Sequence, residues 1–191
     1  DYRMRIINAD GSEAEMCGNG ARCIAAYITK NKSIKKKQFN IETVAGIIQA
    51  KVSSKNISVR LSRPKNYSPD MPISIRGRKI KVHYINTGVP HTIVFVDKIK
   101  QIDVDRIGRL IRFHKLFIPG GTNVDFVEQI KPNLIKLRTY ERGVEAETLA
   151  CGTGAVASAL VSFLKSNPNV QNKEKASAKV ITTSSQVLSV S

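Results

Sequence analysis

The sequence EAEMCGNGA at residues 13–21 and the sequence EAETLACGTGA at residues 145–155 decide the fold prediction. In each copy a cysteine, Cys17 or Cys151, precedes a Gly-x-Gly loop followed by small and apolar side chains. Such side chains are compatible with a helix, so we predict one helix from about Gly18 to Thr29 and another over residues 151–165. A repeated loop with its helix indicates two related lobes.

The rest of the chain indicates mostly strands, with one further stretch of helical spacing at residues 103–113. Residues 63–72, RPKNYSPDMP, contain three of the seven prolines and show no periodicity, which predicts a hinge. We predict a mixed α+β fold with an N-terminal lobe at residues 1–66 and a C-terminal lobe at residues 67–191. Whether the last strands return towards the first lobe is left open. The start at Asp1 resembles a strand within a domain, so we expect the first lobe to be incomplete there.

The amino-acid composition indicates which broad class of protein this chain belongs to. The chain has 191 residues, of which 41% are hydrophobic, as is usual for a globular protein. No apolar run approaches the roughly 18 residues that span a bilayer, so we expect no membrane association. Three cysteines form an odd and sparse set, which suits a reducing compartment better than a disulfide framework. We therefore expect a cytoplasmic protein.

The net charge of +16 makes nucleic acid or an anionic small molecule the first partner to consider. Basic residues cluster at residues 35–37 and 76–79, but neither cluster has interleaved aromatic residues or a nucleic-acid-binding motif. We interpret both as solvated surface, and we expect no nucleic-acid partner.

The two cysteines suggest proton-transfer chemistry. A helix N-terminus has free N–H groups and a positive dipole end, which favour negative charge and lower the pKa of a thiol there. We expect Cys17 and Cys151 to ionise readily for this reason. Two such thiols on related lobes suit a reaction in which a base removes a proton from carbon and an acid on the opposite face returns one. Racemases and epimerases have this requirement.

INADGSEAEMCGNGARC at residues 7–23 and YERGVEAETLACGTGAVAS at residues 140–158 closely resemble the two signature segments of the diaminopimelate epimerase family. NTGVPH at residues 86–91 and GGTNVDFVE at residues 120–128 also resemble segments of that family. The resemblance implies an isomerase that interconverts LL- and meso-diaminopimelate, for lysine and peptidoglycan precursor biosynthesis. It implies no cofactor, neither pyridoxal phosphate nor metal, and two lobes of strands wrapped around a central helix. A homodimer is left open.

The resemblance also implies roles for individual residues. Cys17 and Cys151 match the catalytic acid and base, whose roles swap with the direction of reaction. The remaining matches are substrate-binding residues, in three groups: for the carboxylate at the reacting centre, Gly18, Asn19, Gly152 and Thr153; for the far end of the substrate, Asn8, Asn123 and Arg142; and near the amino group, His91 and Glu141. No metal ligands are expected.

One departure and two alternatives limit the resemblance. Val89 stands where many members have Asn, so one polar contact to the far carboxylate is expected to be missing or to be supplied from elsewhere. Cys23 is interpreted as an inert core thiol. A racemase of the same fold acting on another amino acid, such as proline, is one alternative, and Arg142 and Asn123 discriminate against it because proline would leave them unpaired. A basic nucleic-acid-binding protein is the other, supported by charge alone.

Overall fold

The computed structural model of the chain describes residues 2–8, 11–31, 37–54, 56–169 and 177–191. Most of the basic cluster at residues 35–37 lies outside these ranges. The helices are α1 (Gly18–Lys30), α2 (Val104–Arg112) and α3 (Gly152–Ser166), with 3-10 turns at Ile99–Gln101 and Lys115–Phe117. The strands are β1 (Tyr2–Arg3), β2 (Ile6–Ile7), β3 (Glu13–Ala14), β4 (Gln38–Thr43), β5 (Gly46–Val52), β6 (Ile57–Arg60), β7 (Lys65–Ile75), β8 (Arg78–Asn86), β9 (Pro90–Phe95), β10 (Asn123–Lys131), β11 (Leu134–Glu141), β12 (Ala146–Thr148), β13 (Ala178–Ile181) and β14 (Val187–Val190).

The first lobe packs α1 against a four-stranded sheet with the strand order β1-β4-β5-β6. Side chains alternate between buried and exposed along β4, so one face of the sheet contributes to the core. The helix buries Ala21, Ala25 and Ile28, which share one face at helical spacing. Cys23 lies outside this face and is exposed, so the prediction of a core thiol was wrong.

The second lobe is built on an eight-stranded sheet with the order β14-β13-β11-β10-β9-β8-β7, to which β12 adds beside β11. Helix α3 contacts strands from β8 to β14, and α2 contacts β10, β11 and β12. The two helices belong to separate apolar clusters of this lobe. Strands β9 and β10 run parallel, and their register places His91 beside Asn123. Residues from distant parts of the sequence therefore meet at one end of this strand pair.

The hinge predicted at residues 63–72 was wrong for most of its length, because Lys65–Ile75 form β7. This strand pairs with β8 at the edge of the sheet, and its ladder shifts register between Lys65 and Ser68 and again between Ser68 and Met71. Edge strands and bulges tolerate proline, which lacks a backbone N–H. The lobes are linked by residues 61–64, between β6 and β7.

The last two strands belong to the second sheet. Strand β13 pairs with β11, and β14 pairs with β13. Both strands thus extend the second sheet, and the assignment of the chain's last segment to a lobe stays a prediction. The lobe boundaries at residues 1–66 and 67–191 stay a prediction, although the break between β6 and β7 lies close to them.

The turn between β8 and β9 joins the two lobes. Val89 is buried in the apolar cluster of the first lobe with Met4 and Met16. Two residues earlier, Thr87 Oγ1 donates to the backbone oxygen of Thr153 on α3 at 3.2 Å. The apolar residue at position 89 therefore supports the packing between lobes.

The mixed α+β fold class is confirmed, with strands packed around a helix in each lobe. In the part of the chain that the structure describes, the helices are too short or too polar to cross a membrane.

Candidate active site

Each of the two repeated cysteines is the N-cap of a helix, as predicted. Cys17 precedes α1, and its sulfur accepts a hydrogen bond from the backbone N–H of Gly20 at 3.3 Å. Cys151 precedes α3, and its sulfur accepts from the backbone N–H of Gly154 at 3.4 Å. The glycine three residues after each cysteine therefore makes the same contact in both lobes.

The starts of α1 and α3 touch each other. A Cβ atom added to Gly18 would lie 3.2 Å from the Cα of Gly152, and the reverse distance is also 3.2 Å. The Asn19 side chain donates from Nδ2 to the backbone oxygen of Ala150 at 2.9 Å across the same junction. The predicted carboxylate-binding residues of both loops are thus brought together. Free N–H groups from two helix starts converge there, which favours an anion.

Gly152→Ala is expected to lower kcat of the reaction proposed below about tenfold. The new methyl group forces the two helix starts apart by a few tenths of an ångström and misaligns the thiols. Steady-state kinetics of the purified protein measure this effect. Gly20→Ala is the matched comparison, since its Cβ meets Cys17 at an ordinary 3.5 Å. Equal rates for the two variants would contradict a role for the close helix contact.

The two thiols have unequal surroundings. Cys17 is partly exposed, whereas Cys151 is buried. Burial raises the pKa of the Cys151 thiol well above its usual range, and the nearby carboxylates of Glu141 and Asp125 raise it further. The hydrogen bonds from Thr153 and Gly154 act in the opposite direction and are outweighed. The Gly154 N–H at the helix start lowers the pKa, as expected, but burial outweighs it, so the expectation that Cys151 ionises readily was wrong.

A chain of buried polar groups leads from Cys151 into the second lobe. The Cys151 sulfur lies 3.4 Å from Thr153 Oγ1, which in turn lies 3.0 Å from His91 Nε2. His91 Nδ1 lies 2.6 Å from Asp125 Oδ2. Thr139 donates to the other oxygen of Asp125 at 2.7 Å. Each polar group in this series has a partner, which is what burial requires.

The Thr153 hydroxyl can form a hydrogen bond with Cys151 whether Cys151 is a thiol or a thiolate. When Asp125 is ionised, His91 Nδ1 carries a hydrogen and donates it to the Asp125 carboxylate. In a neutral ring, Nε2 accepts from Thr153, whose oxygen can then accept from the Cys151 thiol. In a charged ring, Nε2–H donates to Thr153, whose hydroxyl is then available to a Cys151 thiolate. Thr153 can therefore bridge Cys151 and His91 in either arrangement of hydrogens.

The predicted far-end residues lie around Arg142. Asn123 Oδ1 accepts from the backbone N–H of Arg142 at 2.8 Å, and Asn123 Nδ2 donates to the Pro90 oxygen at 3.0 Å. Asn8 lies beside the next residue, because a Cβ atom added to Gly143 would be 2.7 Å from Asn8 Nδ2. The structure thus brings Asn8, Asn123 and Arg142 together, and their binding of a substrate stays a prediction.

Glu141 and His91 were predicted to lie near a substrate amino group. Glu141 is largely buried at the end of β11, and this burial raises the pKa of its carboxyl. The His91 ring has 0% exposed surface and contacts Asp125 and Thr153. The His91 side chain therefore acts on a bound ligand indirectly, through Thr153. Binding of an amino group by Glu141 or His91 stays a prediction.

The sequence analysis missed Asp125. It follows Asn123 by two residues on β10, and alternation along a strand places the two side chains on one face, which was the available signal. A Cβ atom added to Gly154 would lie 2.6 Å from Asp125 Oδ1. The glycine therefore lets this carboxylate approach the positive end of α3.

Glu15 was also missed. Its carboxylate forms an ion pair with the Arg142 guanidinium, although the two residues belong to different lobes. The sequence signal was its place two residues before Cys17, inside the repeated segment.

The family model and the similar sequences described below point to one family. The model of the family "Diaminopimelate epimerase" matches residues 1–65 and 83–185. The diaminopimelate epimerase of Aquifex aeolicus (strain VF5) is 43% identical over 192 residues, which cover 100% of this chain and 66% of that protein. The diaminopimelate epimerase of Hydrogenobaculum sp. (strain Y04AAS1) is 45% identical over 166 residues, or 85% of this chain and 60% of that protein. The chain thus spans between three fifths and two thirds of these relatives.

Comparison with solved structures confirms the fold. A hydroxyproline epimerase from Agrobacterium vitis has a TM-score of 0.75 at 15% identity and covers 98% of this chain and 60% of its own. A probable proline racemase from Agrobacterium radiobacter K84 has a TM-score of 0.72 at 16% identity, with 94% and 60% covered. A Bacillus anthracis protein of the PhzF family has a TM-score of 0.68 at 18% identity, with 98% and 70% covered.

Proposed function

Because the chain belongs to the diaminopimelate epimerase family, we propose that it is an isomerase that interconverts LL- and meso-diaminopimelate by proton transfer between two cysteines. The observation that carries this proposal is the meeting of two helix N-termini, each capped by a cysteine. The reaction belongs to the supply of lysine and of peptidoglycan precursors. A cytoplasmic location, a homodimer and the absence of a nucleic-acid partner stay predictions.

The proposed reaction inverts one carbon atom. One cysteine, as a thiolate, removes the α-hydrogen as a proton, so that a C–H bond breaks and an S–H bond forms. The other cysteine, as a thiol, gives its proton to the opposite face of the carbon, so that its S–H bond breaks and a new C–H bond forms. Atoms and charges balance without a cofactor in this scheme. The sulfurs finish with exchanged protonation states, which explains how the same pair serves the reverse reaction.

The helix starts stabilise the negative charge that develops during the reaction. Loss of an α-proton places charge on the carbon and on its carboxylate. The free N–H groups of Gly18, Asn19, Gly152 and Thr153 stand at the positive ends of α1 and α3 and bind this carboxylate. The close contact between Gly18 and Gly152 supports the idea that both loops grip one group. Residues that do not react then need only to position the rest of the substrate.

Epimerisation in deuterated water tests the proposal directly. The purified protein and LL-diaminopimelate should yield meso product that carries deuterium at the inverted α-carbon, because the donating thiol exchanges its proton with solvent. NMR spectroscopy measures both the isotope and the ratio of stereoisomers. A stable LL substrate, with no meso product and no isotope incorporation, would overturn the proposed function.

Arg142→Ala is expected to lower kcat/KM for diaminopimelate by about tenfold to a hundredfold. A charge-assisted hydrogen bond is worth roughly 1.5–3 kcal/mol, and the binding energy of the far end positions the reacting carbon. Arg142→Lys should recover only part, since a point charge cannot replace a planar fork. Arg106→Ala, on the exposed side of α2, is the control. Rates for Arg142→Ala within twofold of the parent would favour a substrate without a far carboxylate, such as proline.

A further inference from the structure

Arg142 and Glu15 form an ion pair across the cleft between the lobes. Arg142 Nη2 donates to Glu15 Oε2, and Arg142 Nη1 donates to the backbone oxygen of Gly120 at 3.4 Å. The Arg142 side chain is 19% exposed and that of Glu15 is 38% exposed. The positive guanidinium and the negative carboxylate thus lie side by side in a partly desolvated environment. Glu15 is two residues before Cys17, the N-cap of α1.

The two partners differ in how firmly they are held. The backbone of Arg142 is fixed by Asn123, which is itself tied to Pro90. Glu15 contributes its backbone oxygen to Ala45 at 3.0 Å, and its more exposed carboxylate is held by the ion pair with Arg142. A ligand that separates the pair therefore displaces the Glu15 side chain and leaves the guanidinium in position.

Separation of this pair has a cost that depends on the ligand. A carboxylate that takes the guanidinium fork of Arg142 leaves Glu15 without its partner. A partly buried charge without a partner is unfavourable, so a ligand with a far carboxylate alone gains one contact and loses another. A far end with both a carboxylate and an ammonium group avoids this loss, because it offers a new partner to each side chain. One ion pair is then exchanged for two.

We propose that Glu15 determines specificity by binding the ammonium group at the non-reacting end of the substrate while Arg142 binds the carboxylate of that end. This inference rests on the proposed function, and it adds Glu15 to the residues that recognise the far end of the substrate. The side chains of Glu15 and Arg142 together form that subsite. Discrimination arises because only a zwitterionic end keeps both protein charges paired.

Glu15→Gln in the purified protein tests this inference, with diaminopimelate and 2-aminopimelate as the two substrates. The second compound has the same carbon chain and both carboxylates but lacks the far ammonium group. The parent should prefer diaminopimelate. In Glu15→Gln we expect kcat/KM for diaminopimelate to fall about tenfold while that for 2-aminopimelate is retained or rises, so the preference falls at least tenfold. The loss should appear mainly in KM, and Glu15→Asp should restore part of the preference.

Glu13→Gln is the matched control. Glu13 lies two residues earlier and is also in an ion pair, but its partner is Arg5 of the same lobe. The preference should stay at the parent value in this variant. Circular dichroism verifies that all three variants are folded. An equal change for both substrates in Glu15→Gln, or tighter binding of both, would overturn the inference and show a simple competitor for Arg142. Failure of the proposed function would instead appear as a parent protein inactive on diaminopimelate.

Discussion

Replacement of Cys17 or Cys151 by alanine is expected to lower the rate of epimerisation by at least about a thousandfold. Each thiol handles one proton at the reacting carbon, and a positioned acid or base commonly contributes a factor of about a hundred to ten thousand. Loss of either thiol breaks the path between the two faces of the carbon, so neither variant alone can invert it. The conversion of LL- to meso-diaminopimelate by the purified variants measures the effect.

Cys23→Ala is the control for this pair. Cys23 is exposed on α1, away from the buried face of the helix, and its loss should leave the rate near that of the parent. Substantial epimerisation by either Cys17→Ala or Cys151→Ala would remove the two-thiol mechanism. A large loss in Cys23→Ala would indicate that disturbance of α1, and not the loss of a reacting sulfur, explains the Cys17 result.

Asp125→Ala is expected to destabilise the protein by about 2–6 kcal/mol, since each buried group left without its hydrogen-bond partner costs about 1–3 kcal/mol and two are left. The change leaves His91 Nδ1 and Thr139 Oγ1 without their acceptor, and both side chains are buried. Asp125→Asn should cost less, about 1–3 kcal/mol, because its amide retains one oxygen to accept a hydrogen bond. Equilibrium unfolding in denaturant gives these free energies.

The activity of Asp125→Asn separates a positioning role from a purely structural one. The variant loses an acceptor that orients His91, so Thr153 is held less firmly beside Cys151. We expect kcat to fall while KM for diaminopimelate changes little. Asp103→Asn, an exposed helix cap paired with Arg106, should have a much smaller effect on stability and none on kcat. An unfolding free energy for Asp125→Ala close to that of the parent would contradict the buried pair.

The sequence predicted the thiol loops well because their determinants are local. A cysteine before Gly-x-Gly and a run of small residues define a helix start without help from distant contacts, and both caps lie where they were predicted. The edge strand β7 was missed for a related reason. Its prolines indicate a break when considered alone, whereas pairing with β8 on one side and bulges along its length accommodate them.

The environment of the site could not be predicted from local sequence. The pKa of Cys151 depends on its burial and on Glu141 and Asp125, which approach through strand pairing, and these outweigh the effect of the helix start that the local sequence predicts. Glu15 and Arg142 meet across the lobes, and their separation in the sequence hides the ion pair. The resemblance identified Arg142 as a binding residue but did not indicate which carboxylate pairs with it.

Because the two thiols are unequally buried, the two protonation states that the proposed enzyme passes through differ in stability. Each inversion moves the resting proton from one sulfur to the other, so product leaves behind a protein ready for the opposite stereoisomer. Burial favours the form in which Cys151 holds the proton, so the free protein returns to that form before each turnover in which Cys151 is the acid. At high substrate concentration this return is expected to limit the rate in the direction that uses Cys151 as the acid.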